Sequence, residues 1–369
     1  MRVLVAGGGT AGHVFPALAL ARRLTEEHGA EVRFAGTPTG QEAILVPAAG
    51  FPFEAVDARP LRRELSVEAF TAPVAAIRSV SRCGPIVERA DVVVGMGGYV
   101  SVPVGLAALR RRRPLVLHEQ NAVPGLANRV LARRSRAVAL TFREAAERLP
   151  RRTRTVLTGN PVREVILAVH EEREALAAEA LTELQLEPGR RTLVALGGSQ
   201  GALRVNTAVI QALRSLRDRD DLQVLLLCGP AHEDAVGRSL TDTGRILVRV
   251  RGFLERMELA YALADLAVAR AGATTCAEVS VCGLPSILVP YPYATGRHQD
   301  ANARALERAG AAVVVADERL SGDVLAARVV ELLDDPGRLE RMGERARAWS
   351  RPDAAEALAG VVMGAGRRG

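Results

Sequence analysis

The chain reads as an α/β protein: two tandem Rossmann-like domains, each a doubly wound parallel sheet, with an interdomain cleft. Three observations lead there. Short β-rich runs alternate with longer amphipathic helical patterns along all 369 residues. The series restarts once, after a charged stretch near the middle. Aromatic residues make up only 3% of the chain, so the cores have to be built from Val, Leu, Ile and Ala, as in buried parallel strands under Ala-rich helices.

In the first half, RVLVAG (2–7), EVRFAG (31–36), ADVVVGMGG (90–98), PLVLHEQ (114–120), RAVAL (136–140) and RTVLTG (154–159) predict strands. Amphipathic helices such as 14–28 and 103–112 lie between them. The charged stretch 162–186 ends in EPGRR. Strands then resume at 191–198, 222–229, 246–253, 265–272, 285–290 and 311–317. The boundary falls near Gly159–Pro161, so the expected domains are 1–160 and 161–350. A last helix, about 353–363, follows Trp349-Ser350-Arg351-Pro352 and is expected to cross back to the first domain. A ligand of such a pair belongs outside the carboxyl ends of both sheets.

Composition removes several classes. No stretch reaches the roughly 18 to 20 uninterrupted apolar residues of a spanning helix. The apolar start at 3–6 runs straight into glycines, unlike a signal peptide. Cys83, Cys228, Cys276 and Cys282 show no C-x-x-C spacing, so buried, reduced thiols are expected and a zinc site is not. All 49 basic residues are arginine, which removes a P-loop lysine and a Schiff-base lysine. Residues 1–160 hold 23 Arg against 13 acids, and residues 161–369 hold 26 against 29. The basic first half points to an anionic partner there.

Gly7, Gly9 and Gly12 in VAGGGTAGHVFP (5–16) spell G-x-G-x-x-G after the first strand. An NAD site also asks for an acid about 20 positions on, at the end of the second strand. That strand ends in Ala35-Gly36-Thr37, without a carboxylate. The anion-binding content survives: glycines let the backbone approach, and the N–H groups opening the next helix point outward. His13 either faces the cleft or caps that helix. A second loop, Gly197-Gly198-Ser199-Gln200-Gly201-Ala202, takes the corresponding place in the second domain, and Ser199 can offer its hydroxyl to a phosphate oxygen. Gly272-Ala273-Thr274-Thr275 opens another helix at a strand end. Glu278, on its early turns, suits either ribose hydroxyls or simple dipole compensation. His298, Gln299, Asp300 and Asn302 start a helix with polar groups suited to sugar hydroxyls. His118-Glu119-Gln120-Asn121, with Asn128 following, and Gly97-Gly98-Tyr99-Val100-Ser101 end two first-domain strands.

Taken together, GGGTAGHVFPALALA, GMGGYVSVP, HEQNAVPGLANR, TGNPVR, GGSQGA and GATTCAEVSVCGLPSILVPYP…HQDANA closely resemble the MurG family of peptidoglycan N-acetylglucosaminyltransferases. These are GT-B enzymes that move GlcNAc from UDP-GlcNAc onto lipid-linked muramyl-pentapeptide, lipid I to lipid II. The pieces run from residue 7 to 303. One departure is Ala11, where the family commonly has a third glycine in GGTGGH; its methyl trims the space beside the phosphate.

The resemblance implies a UDP-GlcNAc site formed by Thr10, Ala11, Gly12 and Asn121 with Arg163, Ser199, Leu254, Ala273, Thr274, Thr275, Cys276, Ala277, Glu278 and Gln299. Backbone near Leu254 would hold uracil, Glu278 the ribose, Ser199 and helix ends the diphosphate, and Gln299 the GlcNAc. Gly9, Tyr99, Ser101 and Asn128 would receive the acceptor. The implied reaction inverts the anomeric carbon and needs a base, for which His13 comes first and Glu119 second. The only D-x-D, Asp218-Arg219-Asp220, reads as solvated surface, so neither metal nor cofactor is expected. Arg163, Ser199 and helix N-termini would meet the leaving charge.

A polyprenyl acceptor requires membrane contact. Leu61, Leu65, Phe70, Val74 and Ile77 among arginines in 61–82, with Arg110–Arg113, suit anionic headgroups, although ordinary helix packing and a solvated charge run explain either segment alone. The expected setting is peripheral, on the cytoplasmic face of the bacterial plasma membrane, with other cell-wall synthesis proteins as possible partners. A UDP-GlcNAc 2-epimerase is the nearest rival. An arginine-driven nucleic-acid binder is disfavoured, since stacked aromatics are lacking, and an NAD oxidoreductase is more distant.

Overall fold

A computed structural model describes residues 1–9, 11–56, 68–198 and 201–367, with backbone alone for Ala11 and residues 68–77. The chain divides into two units, Met1–Arg163 with Arg351–Gly369, and Glu164–Ser350. The first division comes after Arg163 and not after Asn160, so Arg163 belongs to the first unit.

The first unit carries strands β1 (Arg2–Ala6), β2 (Glu31–Gly36), β3 (Phe53–Ala55), β4 (Val92–Gly95), β5 (Leu115–Glu119), β6 (Ala137–Leu140) and β7 (Thr155–Leu157). All pair in parallel, in the order β3-β2-β1-β4-β5-β6-β7. Val5 lies opposite Phe34 on one side and Val94 on the other. Strand β3 escapes the sequence pattern because it is a three-residue edge strand with no fully buried position. Helices α1 (Ala11–Glu26), α2 (Glu42–Ala48), α3 (Glu68–Glu88), α4 (Ser101–Arg110) and α5 (Leu126–Leu131) connect the strands.

Alternate strand residues build two cores, as a sheet buried on both faces requires. Val3, Val5 and Val94 pack with Leu20 and Leu24 of α1, and Leu4, Val93 and Leu117 pack with Val104 and Ala108 of α4.

The second unit opens with α6 (Glu164–Leu167) and α7 (Arg173–Glu183), so the charged stretch is two helices and not one. Its sheet has β8 (Arg191–Leu196), β9 (Leu222–Leu227), β10 (Leu247–Arg251), β11 (Leu266–Ala269), β12 (Ser286–Leu288) and β13 (Ala312–Val314), ordered β10-β9-β8-β11-β12-β13, again all parallel. Helices α8 (Leu203–Ser215), α9 (Glu233–Ser239), α10 (Met257–Leu263), α11 (Ala273–Val281), α12 (His298–Arg308), α13 (Gly322–Leu333) and α14 (Pro336–Trp349) complete it. Asp335 caps α14, its side chain accepting from the Arg338 amide at 2.9 Å with Pro336 at the first helical position. The four cysteines are free and buried, and burial raises the Cys83 thiol to about 11.

Helix α15 (Ala354–Gly366) returns to the first unit, where Leu358, Ala359, Val362 and Ala365 join the core of Val3, Val5, Leu20 and Leu24. The returning chain runs so close to Gly159 that a Cβ there would lie 2.7 Å from Cβ of Arg351, and Gly159 has φ +87°. Only glycine accommodates both demands.

In each sheet the strand order reverses once, between β1 and β4 and between β8 and β11. Loops at such a reversal diverge and leave a crevice at the carboxyl edge. Both glycine loops follow a strand at that point.

Leu358 is fully buried, so Leu358→Ala is expected to destabilise the protein by about 2–5 kcal/mol in chemical denaturation. A loss below about 0.5 kcal/mol would remove α15 from this core.

Candidate functional site

At the carboxyl edge of the first sheet, two loops touch backbone to backbone. A Cβ at Gly98, which has φ +76°, would stand 2.6 Å from the carbonyl oxygen of Gly8. The imidazole of His13 lies against Gly97, where an added Cβ would be 3.0 Å from Cδ2 and 3.2 Å from Nε2. The Tyr99 ring stands over Gly9, 3.6 Å from the same construction. His13, Gly9 and Tyr99 therefore share one patch, with His13 half-buried on the first turn of α1.

Ser101 and Asn128 turn inward instead. Ser101 is fully buried, its hydroxyl 2.7 Å from the Gly97 carbonyl and 3.0 Å from that of Ala6. The Asn128 amide donates to the His118 carbonyl at 3.1 Å and to Glu119 Oε2 at 2.8 Å. They hold loops, and neither offers a polar group to solvent.

Glu119 is 3% exposed and both of its oxygens are engaged. Oε1 accepts from the Asn121 amide at 3.0 Å, and Oε2 accepts from the Gly125 amide at 3.0 Å as well as from Asn128. Burial pushes its pKa up against the pull of these donors. A carboxylate so occupied is a staple for the turn after β5.

Arg163 stacks its guanidinium 4.7 Å over the Phe15 ring of α1, within the first unit. Thr10 and Ser199 lie outside the described residues, as does the side chain of Ala11. Leu61 and Leu65 also fall outside, together with the side chains of Phe70, Val74 and Ile77.

In the second unit, Gly198 (φ +77°) and Gly201 (φ +75°) shape the loop after β8. Gly201 sits against the Cys228 carbonyl, which also accepts from the Asn206 amide at 2.8 Å. Helix α11 opens at Gly272 in extended conformation with no side-chain cap, so its first amides suit an anion. Along α11, Thr274 and Thr275 are half-buried and Ala273, Cys276 and Ala277 are buried. Glu278, 6% exposed, accepts from the Tyr261 hydroxyl at 2.9 Å.

The Tyr291 amide donates to Gln299 Oε1 at 2.9 Å, which fixes the orientation of the Gln299 carboxamide. Arg270 braces this corner, bonded to the Val289 and Pro290 carbonyls and to Asp317 Oδ1 at 2.6 Å, and stacked on Tyr291. Leu254 is half-buried beside Phe253, which is 62% exposed. Near the D-x-D, Asp220 pairs with Arg245 on the surface. Among the described residues no group of three His, Cys, Asp or Glu could hold a metal ion.

Sequence reading missed Glu42, Tyr261 and Arg270. Glu42 supplies the acid that the second strand lacks, but from α2 and aimed at the glycine loop itself. It accepts from the Gly9 amide at 2.9 Å. Its only advance signal is an acid among Gly36, Gly40 and the next helix. Tyr261 is one of four tyrosines, placed in the short helix MELAYAL.

The family model described as the glycosyltransferase family 28 N-terminal domain matches residues 3–140, and the one described as the family's C-terminal domain matches residues 192–358. Proteins of Halothermothrix orenii and Moorella thermoacetica are 40% and 42% identical over 371 residues, covering 98% of this chain and 98% of each relative. Both are named UDP-N-acetylglucosamine–N-acetylmuramyl-(pentapeptide) pyrophosphoryl-undecaprenol N-acetylglucosamine transferase. The crystal structure of Acinetobacter baumannii MurG is similar at TM-score 0.79 and 30% identity, with 98% of this chain and 99% of that one covered. A UDP-GlcNAc 2-epimerase from Neisseria meningitidis reaches TM-score 0.70 at 12% identity over 99% of this chain and 100% of that one, a likeness of fold alone.

His118 gives the first edge a pH dependence. It is fully buried, and since a carbonyl only accepts, Nε2–H must donate to the Gly159 carbonyl at 3.0 Å, leaving Nδ1 bare. Burial lowers its pKa to about 4, with His13 nearby adding to the effect. Stability is then complete above the ordinary imidazole pKa near 6.5 and is lost as pH falls towards 4. Chemical denaturation at pH 7 and pH 5 should differ by about 2 kcal/mol from this group, and His118→Gln should remove that difference. An unchanged pH slope in the variant would refute the assignment.

Proposed function

The chain belongs to glycosyltransferase family 28, and from that membership we propose that it transfers GlcNAc from UDP-GlcNAc to the C4 hydroxyl of the muramyl sugar of undecaprenyl-pyrophosphoryl-MurNAc-pentapeptide. The observation that carries this reading is identity of about 40% running through both units to proteins named for that reaction.

The residues supply a coherent division of labour. In the second unit, the amides opening α11 and Ser199 bind the diphosphate. The Glu278 carboxylate takes the ribose hydroxyls, steadied by Tyr261. Gln299 donates to the sugar, its orientation set by the Tyr291 amide, and backbone at Leu254 holds uracil. In the first unit, Gly9 and Tyr99 border the acceptor. The muramyl O4 attacks the anomeric carbon as His13 takes its proton. The bond to the β-phosphate oxygen breaks, and UDP departs with the electron pair, inverting the centre.

No helix among the described residues is long and apolar enough to cross a membrane. The first unit nevertheless exposes Leu126 (64%) and Val130 (57%) one turn apart on α5, with Arg129 between them and exposed Arg110, Arg111 and Arg112 at the end of α4. Apolar side chains among arginines support peripheral attachment to an anionic bilayer on its cytoplasmic face. A lipid-linked acceptor is presented there.

UDP release from UDP-GlcNAc should require an added lipid I analogue; equal release without acceptor would overturn the reading. His13→Ala should lower kcat by about 10²–10⁴ while UDP-GlcNAc still binds. Near-wild-type turnover would remove His13 from the role of base.

A further inference from the structure

We propose that Glu42 is a positioning residue for the acceptor: its buried carboxylate holds the first glycine loop in the shape that receives the acceptor pyrophosphate. This rests on the reading of function given above. Glu42 is 1% exposed and touches no solvent, so it acts through the loop and not on substrate.

The geometry is that of a socket built around one carboxylate. Oε2 accepts from the Gly9 amide at 2.9 Å, and Oε1 accepts from the Thr37 amide at 2.9 Å and from the Thr37 hydroxyl at 2.8 Å. Three segments leave room for it: a methyl at Gly8 after β1, at Gly36 ending β2, or at Gly40 before α2 would collide with the Glu42 side chain. These glycines are explained by Glu42, where a pyrophosphate would otherwise be invoked. Gly9 itself has φ +96°, a conformation open to glycine and strained for any other residue. Burial alone would raise the Glu42 pKa, yet the amides of Gly9 and Thr37 hold it below the usual carboxylate range.

Two consequences follow for the acceptor. The Gly9 N–H is already spent, so it is not a phosphate donor, and the loop contributes shape and the following helix N-terminus instead. The fastened Gly9 also sets the floor beneath Tyr99 and keeps the Gly8 carbonyl against Gly98. Loosening it disturbs the patch shared with His13 while leaving the second unit alone.

Glu42→Gln is the decisive change. A carboxamide has one acceptor oxygen, so satisfying the Thr37 amide turns its NH2 group towards the Gly9 N–H, donor against donor. Steady-state rates should show the acceptor KM raised by about tenfold or more, the scale of a lost charge-assisted hydrogen bond. The dissociation constant of UDP-GlcNAc should rise by less than the acceptor KM, since the groups assigned above to its uracil, ribose, diphosphate and GlcNAc lie in the second unit. Thr37→Val, which removes a donor from the other oxygen only, should leave the acceptor KM near wild type.

An unchanged acceptor KM in Glu42→Gln, or an equal rise in Thr37→Val, overturns the proposal. Amide exchange of the wild-type protein judges it separately. The Gly9 amide should exchange as slowly as β1, and exchange at open-loop rates overturns the proposal even should Glu42→Gln fail to fold. Absence of acceptor-dependent UDP release in the wild type would instead sink the reading of function, leaving the exchange result to decide the hold on Gly9.

Discussion

Backbone groups at the carboxyl end of a buried parallel strand must find partners before the chain reaches water, and this constraint organises both edges described above. Each edge answers it with short polar side chains reaching into loops. Ser101 serves the carbonyls of Ala6 and Gly97, Asn206 that of Cys228, and Asn302 that of Ala271. Carboxylates serve the amides: Glu42 at Gly9 and Thr37, Glu119 at Asn121 and Gly125. These bonds lie beside the positive-φ glycines Gly9, Gly97, Gly98 and Gly201.

Buried carboxylates at the edge of an apolar sheet look unfavourable. They are tolerated because each is fully hydrogen-bonded, so its charge is spread over amide dipoles aimed at it. Lysine is absent from the chain, and guanidinium groups meet aromatic faces instead, Arg163 on Phe15 and Arg270 on Tyr291. A planar cation stacked this way is held at a fixed place, as Arg270 is between Tyr291 and Asp317.

Strand–helix alternation, the restart of the series after the middle of the chain and the two glycine loops were all legible in one dimension, because parallel strands buried on both faces need unbroken Val, Leu, Ile and Ala runs. Strand β3 was not, since FEA at an edge carries no such run. Within the candidate site, the polar residues at strand ends were correctly placed at the carboxyl edges, but their orientation was invisible. Ser101 and Asn128 have the same chemistry whether they face a ligand or a carbonyl. Glu119, the second choice of base, accepts from Asn121, Gly125 and Asn128, partners that its place at a strand end did not announce.

The amino-acid sequence by itself determined the class of fold, the positions of the phosphate-type loops and the family, since these follow from local periodicity and from contiguous motifs. Tertiary structure alone decided which polar groups remain available for chemistry. Glu42 meets Gly9 from 33 positions away, and Glu278 meets Tyr261 across two helices. Whether a carboxylate is spent or free depends on donors brought to it by strand order, and strand order is set by the packing of whole layers.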